Sequence, residues 1–314
     1  MNLKTIFTTK TSEVCTIPYI PERFRREITL HIFKNYYANK DHSFKTPLIL
    51  AISGAPGMGK TFQADAVLND LNVNKTIISG SEFENENAGI PIKNLRKIYK
   101  DISDDIFIKK VKMGAIIIDD IDAALGQWGG LVQYTMNRQH LIKTLIDFAD
   151  NPYLITVYND DDQLEECNTS RIPIIVTLND ETKMYEPLMR NGRTTIFPWI
   201  PNSEEISEIL NRIFSGITID QSPYHLYEDL LSFTKETSNE EATSLPISLF
   251  SDIRASLNDD YIWQQICEAR SFDEISNDLK DRLNSSQQYK YSDLFELGKL
   301  LLHKNQNYLS FDKQ

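Results

Sequence analysis

The chain has 314 residues, 41% hydrophobic and 25% charged, with a formal net charge of -12. That length suits roughly two domains of about 150 residues each and a sizeable core. The acidic balance argues against a nucleic-acid partner, because phosphate-backbone binding leaves a basic footprint. Cys15, Cys167 and Cys267 are odd in number and far apart, which argues against a disulfide framework and points to a reducing compartment. The five histidines form no cluster with the cysteines, so no structural zinc site is expected. No apolar run reaches about 18 residues, so no membrane span is expected. Residues 1–12 contain neither an apolar core nor an arginine and read as neither a secretory signal nor a transit peptide. The expected compartment is the cytoplasm.

Taken in chain order, short apolar runs organise the first 200 residues. Residues 47–53 (P-L-I-L-A-I-S) lead into a glycine-rich turn, and residues 76–79 form a second run. A third, 114–118, ends in Asp119, Asp120 and Asp122. Residues 172–177 form a fourth run, ending near Asn179, and 194–197 a fifth. Each run is short and largely β-branched, as strands buried on both faces of a parallel sheet are. Between them, residues 92–108 and 139–149 carry helical spacing, so the pattern predicts an α/β fold. Residues 160–166 hold five acids in seven positions and read as an exposed loop. After residues 198–201 the character turns helical, with a helix start at Asn202-Ser203-Glu204-Glu205 and Ser203 as its candidate cap.

Chemistry concentrates at three places. Gly54-Ala55-Pro56-Gly57-Met58-Gly59-Lys60-Thr61 fits G-x-x-x-x-G-K-[ST] between a strand and a helix, the context this motif requires. The glycines let backbone N–H groups turn onto phosphate oxygens, and the following helix adds its positive end. Lys60 would reach the β- and γ-phosphates of ATP, and Thr61 would coordinate Mg²⁺. Asp119, at the end of the third run, is the candidate to hold Mg²⁺ through water. Asn179, after the fourth run, either polarises the attacking water or senses the γ-phosphate. Arg190 and Arg193 flank Asn191-Gly192, and an arginine supplied by a neighbouring subunit can stabilise charge on a transferring phosphoryl group.

Several stretches carry a family resemblance. They are Tyr19-Ile20 with Leu30-His31-Ile32-Phe33-Lys34-Asn35, Pro47-Leu48-Ile49-Leu50, and Gly59-Lys60-Thr61-Phe62-Gln63. Further on come Glu86-Asn87-Ala88-Gly89-Ile90-Pro91, Gly129-Gly130 with Gln133-Tyr134-Thr135, Ala149-Asp150-Asn151-Pro152, and Arg171-Ile172-Pro173-Ile174-Ile175-Val176-Thr177. Together they resemble Rubisco activase, an AAA+ remodeller that releases tight-binding sugar phosphates from Rubisco. The resemblance covers residues 18–200 and continues more loosely to Leu249-Phe250 and Arg254. It implies an AAA+ α/β subdomain with a parallel sheet flanked by helices, followed by an α-helical lid. By the resemblance, Asp120 stands where many members carry the glutamate that orients the attacking water, and Phe62 belongs to the phosphate-loop region. Asn179 would be sensor 1, Arg190 and Arg193 the paired arginines acting on the next subunit's nucleotide, and Arg254 the sensor 2 arginine. A homo-oligomeric ring, a hexamer, is implied, with residues 82–89 and 126–134 facing its pore and Rubisco as protein partner. A plastid or cyanobacterial-type host follows from the resemblance as well, and residues 1–12, which do not read as a transit peptide, favour the cyanobacterial type.

The expected organisation is a linker and helix over residues 1–45, the nucleotide-binding subdomain over 46–200, and the lid with a tail over 201–314. The sequence departs from the family at Gln127 and Trp128, in the acidic stretch 153–170, and in having no counterpart of the separate N-terminal substrate domain. Two readings therefore stand. One is an ATP-driven remodeller of Rubisco. The other is an ATP-dependent Rubisco-binding or organising protein without activase activity.

Overall fold

The computed structural model describes residues 19–83, 89–122, 132–159, 163–237, 243–268 and 287–311. By its packing the chain divides into two compact units, Met1–Pro56 with Lys60–Ile200, and Gly57–Gly59 with Pro201–Gln314. Most of the two expected pore loops, 84–88 and 126–131, lies outside the described residues.

In the first unit the five apolar runs are five parallel strands: β1 (Ile49–Ser53), β2 (Asn74–Ser79), β3 (Gly114–Asp119), β6 (Ile174–Leu178) and β7 (Thr194–Pro198). Their order across the sheet is β2-β3-β6-β1-β7. The three inner strands are buried at every position except Asp119, as strands covered on both faces must be. The outer strands β2 and β7 are buried only at some positions. Because all five run the same way, Ser53, Asp119 and Leu178 end at one edge of the sheet, the edge where α/β folds bind ligands.

Helix α3 (Ile90–Phe107) begins after Gly89, held at φ 93°, with Pro91 in its first turn. Its residues Ile92, Leu95, Tyr99 and Ile102 recur at helical spacing and pack with Leu141, Leu145 and Phe148 of α4 (Val132–Asp150) against Ile116, Ile174 and Val176 of the sheet. The alternate strand residues Leu50, Ile52, Ile117 and Ile175 point to the other face and are equally buried. Two further helices, α1 (Glu22–Ala38) and α2 (Lys60–Asp70), pack on each other. Phe24 of α1 meets Trp199 edge-on at 4.8 Å, and Arg23 lies 5.0 Å over the same indole. The far end of α1 is tied to the start of β6. Arg171 Nε donates to Asn35 Oδ1 at 2.5 Å, and Asn39 exchanges two hydrogen bonds with the Arg171 backbone.

Two expectations are corrected. Residues 164–166 are not loop: Leu164–Asn168 is strand β5, antiparallel to β4 (Leu154–Tyr158) in a ribbon separate from the main sheet. Its side chains stay mostly exposed, which is why its acids cost little there. Ser203 is not the cap of the helix that follows. Asn202 is, accepting from Glu205 N while Glu205 returns a carboxylate to Asn202 N, both at 2.8–2.9 Å.

The second unit is helical. Helices α5 (Ser203–Ile213), α6 (Pro223–Thr237), α7 (Ile247–Ser256), α8 (Asp259–Glu268) and α9 (Tyr291–Phe311) account for most of it. Leu210, Leu226, Leu230, Leu249, Phe250 and Leu294 form its core. A short parallel ribbon, β8 (Ile217–Ile219) with β9 (Gln287–Tyr289), also belongs to it.

Candidate functional site

The loop between β1 and α2 starts where the backbone is crowded. A Cβ on Gly54 would stand 2.4 Å from the Trp199 carbonyl, so only glycine fits. Gly57 and Gly59 both adopt positive φ, 73° and 72°, which side chains with a Cβ disfavour. Lys60 opens α2, and its ammonium donates to Gly54 O at 2.7 Å, Ala55 O at 3.1 Å and Asn179 Oδ1 at 2.8 Å. Burial lowers the Lys60 pKa, and Asp120, Asp122 and Asp119 act against that shift.

The neighbouring strand ends supply the carboxylates. Strand β6 pairs with β3, so its hydroxyl Thr177 reaches both acids at the β3 end. Thr177 Oγ1 donates to Asp119 Oδ1 at 2.7 Å and accepts from Asp120 N at 2.9 Å. Thr61 Oγ1 donates to the same Asp119 oxygen. Asp120 turns away from the strand with φ 49°, a left-handed conformation uncommon outside glycine. Its carboxyl pKa is raised, first by burial and then by the charges of Asp119 and Asp122. Asn179 Nδ2 faces Asp120 Oδ1 at 3.5 Å, so Asn179 stands between Lys60 and Asp120. Asp122 is buried; its Oδ2 accepts from Asn179 N at 3.1 Å, and its Oδ1 has no partner among the described residues. Gly80 backs Asp120, where a Cβ would lie 2.2 Å from the Asp120 carbonyl.

The structure thus brings together Lys60, Thr61, Asp119, Asp120 and Asn179. It adds Thr177 and Asp122, which sequence reasoning left without a role. A threonine in a strand reads as a β-branched filler, and only its position beside the acid-bearing end of β3 reveals the hydroxyl's use. Pro56 and Phe62 are exposed. Arg190 and Arg193 stand elsewhere in the unit. Ile49 N bonds Arg193 O, so they sit at the opposite edge of the sheet, where β1 begins. Arg190 is exposed, whereas Arg193 forks onto Asp150 at 2.6 and 2.7 Å and donates to Pro187 O. Arg254 is on α7 of the second unit, half-buried.

The donor set suits a hard cation. A threonine hydroxyl and one carboxylate are what Mg²⁺ takes from a protein when phosphates and waters fill its other positions. Among the described residues no cluster of three or more His, Cys, Asp or Glu could cage a metal unaided. Also among them, no helix is long and apolar enough to cross a membrane.

A glycine-rich loop delivering a lysine, beside a strand-end aspartate at the carboxyl edge of an inner-strand-swapped parallel sheet, is a combination that comparison with known families can decide. Residues 50–202 match the family described as ATPase family associated with various cellular activities (AAA). Residues 50–202 are an AAA domain. The chain carrying this AAA domain is 32% identical over 300 residues to ribulose bisphosphate carboxylase/oxygenase activase, chloroplastic, of Zea mays, covering 92% of this chain and 64% of that protein. To the Arabidopsis thaliana protein of the same name it is 32% identical over 297 residues, 92% of this chain and 58% of that one. Against the Phaseolus vulgaris protein, identity rises to 40% over 199 residues, 62% of this chain and 43% of that one. The chain spans less than two thirds of the length of these relatives.

Proposed function

We propose that this chain hydrolyses ATP at the Lys60–Asp119–Asp120 cluster and couples hydrolysis to remodelling of Rubisco in a ring of like subunits. The observation that carries the proposal is the convergence of the Lys60 ammonium, the Thr61 hydroxyl and the Asp119 carboxylate at one sheet edge. The activase relatives support Rubisco as target.

In this reading the backbone of the loop from Gly54 to Gly59 and the Lys60 ammonium bind the phosphates. Thr61 and Asp119 hold Mg²⁺, which when bound neutralises charge on the phosphate oxygens. Asp120 accepts the proton of the attacking water. Asn179 orients that water from the side opposite Lys60. Thr177 does not touch substrate; it positions Asp119 and Asp120. Arg190 acts on another subunit's nucleotide. Five strand residues at about 3.3 Å each put roughly 16 Å between the two edges of the sheet, beyond an arginine's reach within one chain. Arg193, spent on Asp150, steadies the turn that presents Arg190. Arg254 keeps the sensor 2 role that the resemblance implies.

The test is reactivation of Rubisco that is inhibited by a bound sugar phosphate. Recovery with ATP, none with a non-hydrolysable analogue and none with Lys60→Ala would support the motor. Co-sedimentation with Rubisco without recovery would replace it with the organising reading. ATP turnover retained in Lys60→Ala would mean that the site itself is wrong.

A further inference from the structure

The sheet has two edges, and the nucleotide site proposed above takes only one. At the other, where β1 and β6 begin, a cavity of about 600 Å³ is lined in part by Lys45, Asp150, Asn151, Tyr153 and Arg171. Arg171 is only 6% exposed. Its partners are nonetheless neutral: Asn35 Oδ1, the Thr46 carbonyl and the Tyr153 side chain. A guanidinium buried without a counter-charge is costly, and burial pulls its pKa below the ordinary arginine value. Lys45, at the cavity rim, is exposed and has no side-chain partner among the described residues. The carboxylate in the wall, Asp150, is already neutralised by the fork of Arg193. The cavity therefore carries an excess of two positive charges of complementary kinds. One is a guanidinium that keeps N–H groups beyond those given to Asn35 and Thr46, and the other is a mobile point charge. Its volume lies in the range of small-molecule sites and exceeds what a bare phosphate ion fills.

We propose that this cavity binds a small organic phosphate, its phosphate group held between Arg171 and Lys45 and its body against Pro152 and Tyr153. The site is separate from the phosphate loop and does not depend on the activity proposed above. A surface cation without a partner is ordinary; the buried guanidinium beside it, lacking any carboxylate, is what calls for an anion.

The experiment uses full-length Lys60→Ala protein, so that the phosphate loop does not compete for the probe. Its thermal unfolding is followed with glycerol 3-phosphate, with inorganic phosphate, and with sodium chloride matched for ionic strength. The expected result is a saturable rise in Tm with glycerol 3-phosphate, a smaller rise with inorganic phosphate and none with chloride. Lys45→Glu, at an exposed position that folding does not need, should weaken the ester by about tenfold or more, the loss of one charge-assisted contact. Arg171→Lys, its fold checked by circular dichroism, should do the same because the guanidinium is lost. A rise that chloride reproduces, or one that survives both substitutions unchanged, would overturn the site. Equal binding of inorganic phosphate and the ester would overturn the organic ligand.

Discussion

Thr177 offers a sharp test of the site's architecture. Thr177→Val keeps the branched shape in a fully buried strand position and removes only the hydroxyl. That hydroxyl makes two close bonds, to the Asp119 carboxylate at 2.7 Å and from Asp120 N at 2.9 Å, with the Thr61 hydroxyl farther off at 3.4 Å. A bond to a charged acceptor contributes ~1.5–3 kcal/mol and a neutral one ~0.5–1.5 kcal/mol. Asp119 keeps Thr61 as a donor, and the new methyl gains some apolar burial, so the lower half of the sum applies, about 2 kcal/mol. At ~2–4 °C per kcal/mol for a unit of this size, Tm should fall by roughly 4–8 °C. Turnover should fall further than stability suggests, because Asp120 holds a left-handed backbone that the Thr177 bond fixes. A barrier raised by ~1.4 kcal/mol already costs tenfold, so a loss of at least about tenfold in kcat is expected, with nucleotide affinity changed little. The assays are thermal unfolding and coupled ATP hydrolysis, with Thr177→Ser as the control that keeps the hydroxyl. If Thr177→Val turns over ATP like the parent chain and melts within about 1 °C of it, the positioning argument fails.

Three further outcomes are expected. Gly80→Ala places a Cβ 2.2 Å from the Asp120 carbonyl, so kcat should drop while binding of ATP survives; unchanged hydrolysis would mean that Asp120 tolerates displacement. Arg190→Ala should bind nucleotide normally yet lose most turnover, and mixing it into wild-type assemblies should depress their rate. Rates that merely average would refute action between subunits. Burial and the Arg171 guanidinium hold the His31 imidazole at about 3, well below its ordinary 6.5, so it stays neutral in the fold. The unfolded chain gains the proton first, so stability is complete above about pH 6.5 and declines by ~1.4 kcal/mol per unit as pH drops towards 3. Urea unfolding at about pH 7.5 and pH 5 should differ by about 2 kcal/mol from this residue, and its ring signals should not titrate over that range. A ring that titrates near 6.5 in the folded protein would refute this.

The inner strands were legible because burial on both faces leaves mostly apolar residues in β1, β3 and β6, with the polar ones Ser53, Asp119 and Thr177 at or near their ends. The β4–β5 ribbon was not, since Glu165 and Glu166 stay in water on a strand that packs through few of its side chains. The three-residue strands β8 and β9 are too short to leave a period. Asn202 was passed over for Ser203 because both residue types cap helices, and only the reciprocal bond with Glu205 tells them apart. At the site, Lys60, Thr61 and Asp119 announced themselves through motif spacing. Thr177 and Asp122 did not, because their partners are 57 or 58 positions away in the chain and become neighbours only through the strand order. The ion pair of Arg193 with Asp150 was likewise invisible, since the sequence reads both arginines alike, as a pair acting on the next subunit's nucleotide.

One contact ties the outer strand to the acids. Gly80, which opens the turn Gly80–Phe83 after β2, leaves no room for a Cβ against the Asp120 carbonyl, and the residue before it, Ser79, pairs with Asp119 in the β2–β3 ladder. Motion of that turn towards β3 would press on Asp120, and motion away would pull on Asp119 through the ladder. The acid-bearing strand end therefore follows its outer neighbour in both directions, so that whatever displaces β2 is felt at the carboxylates.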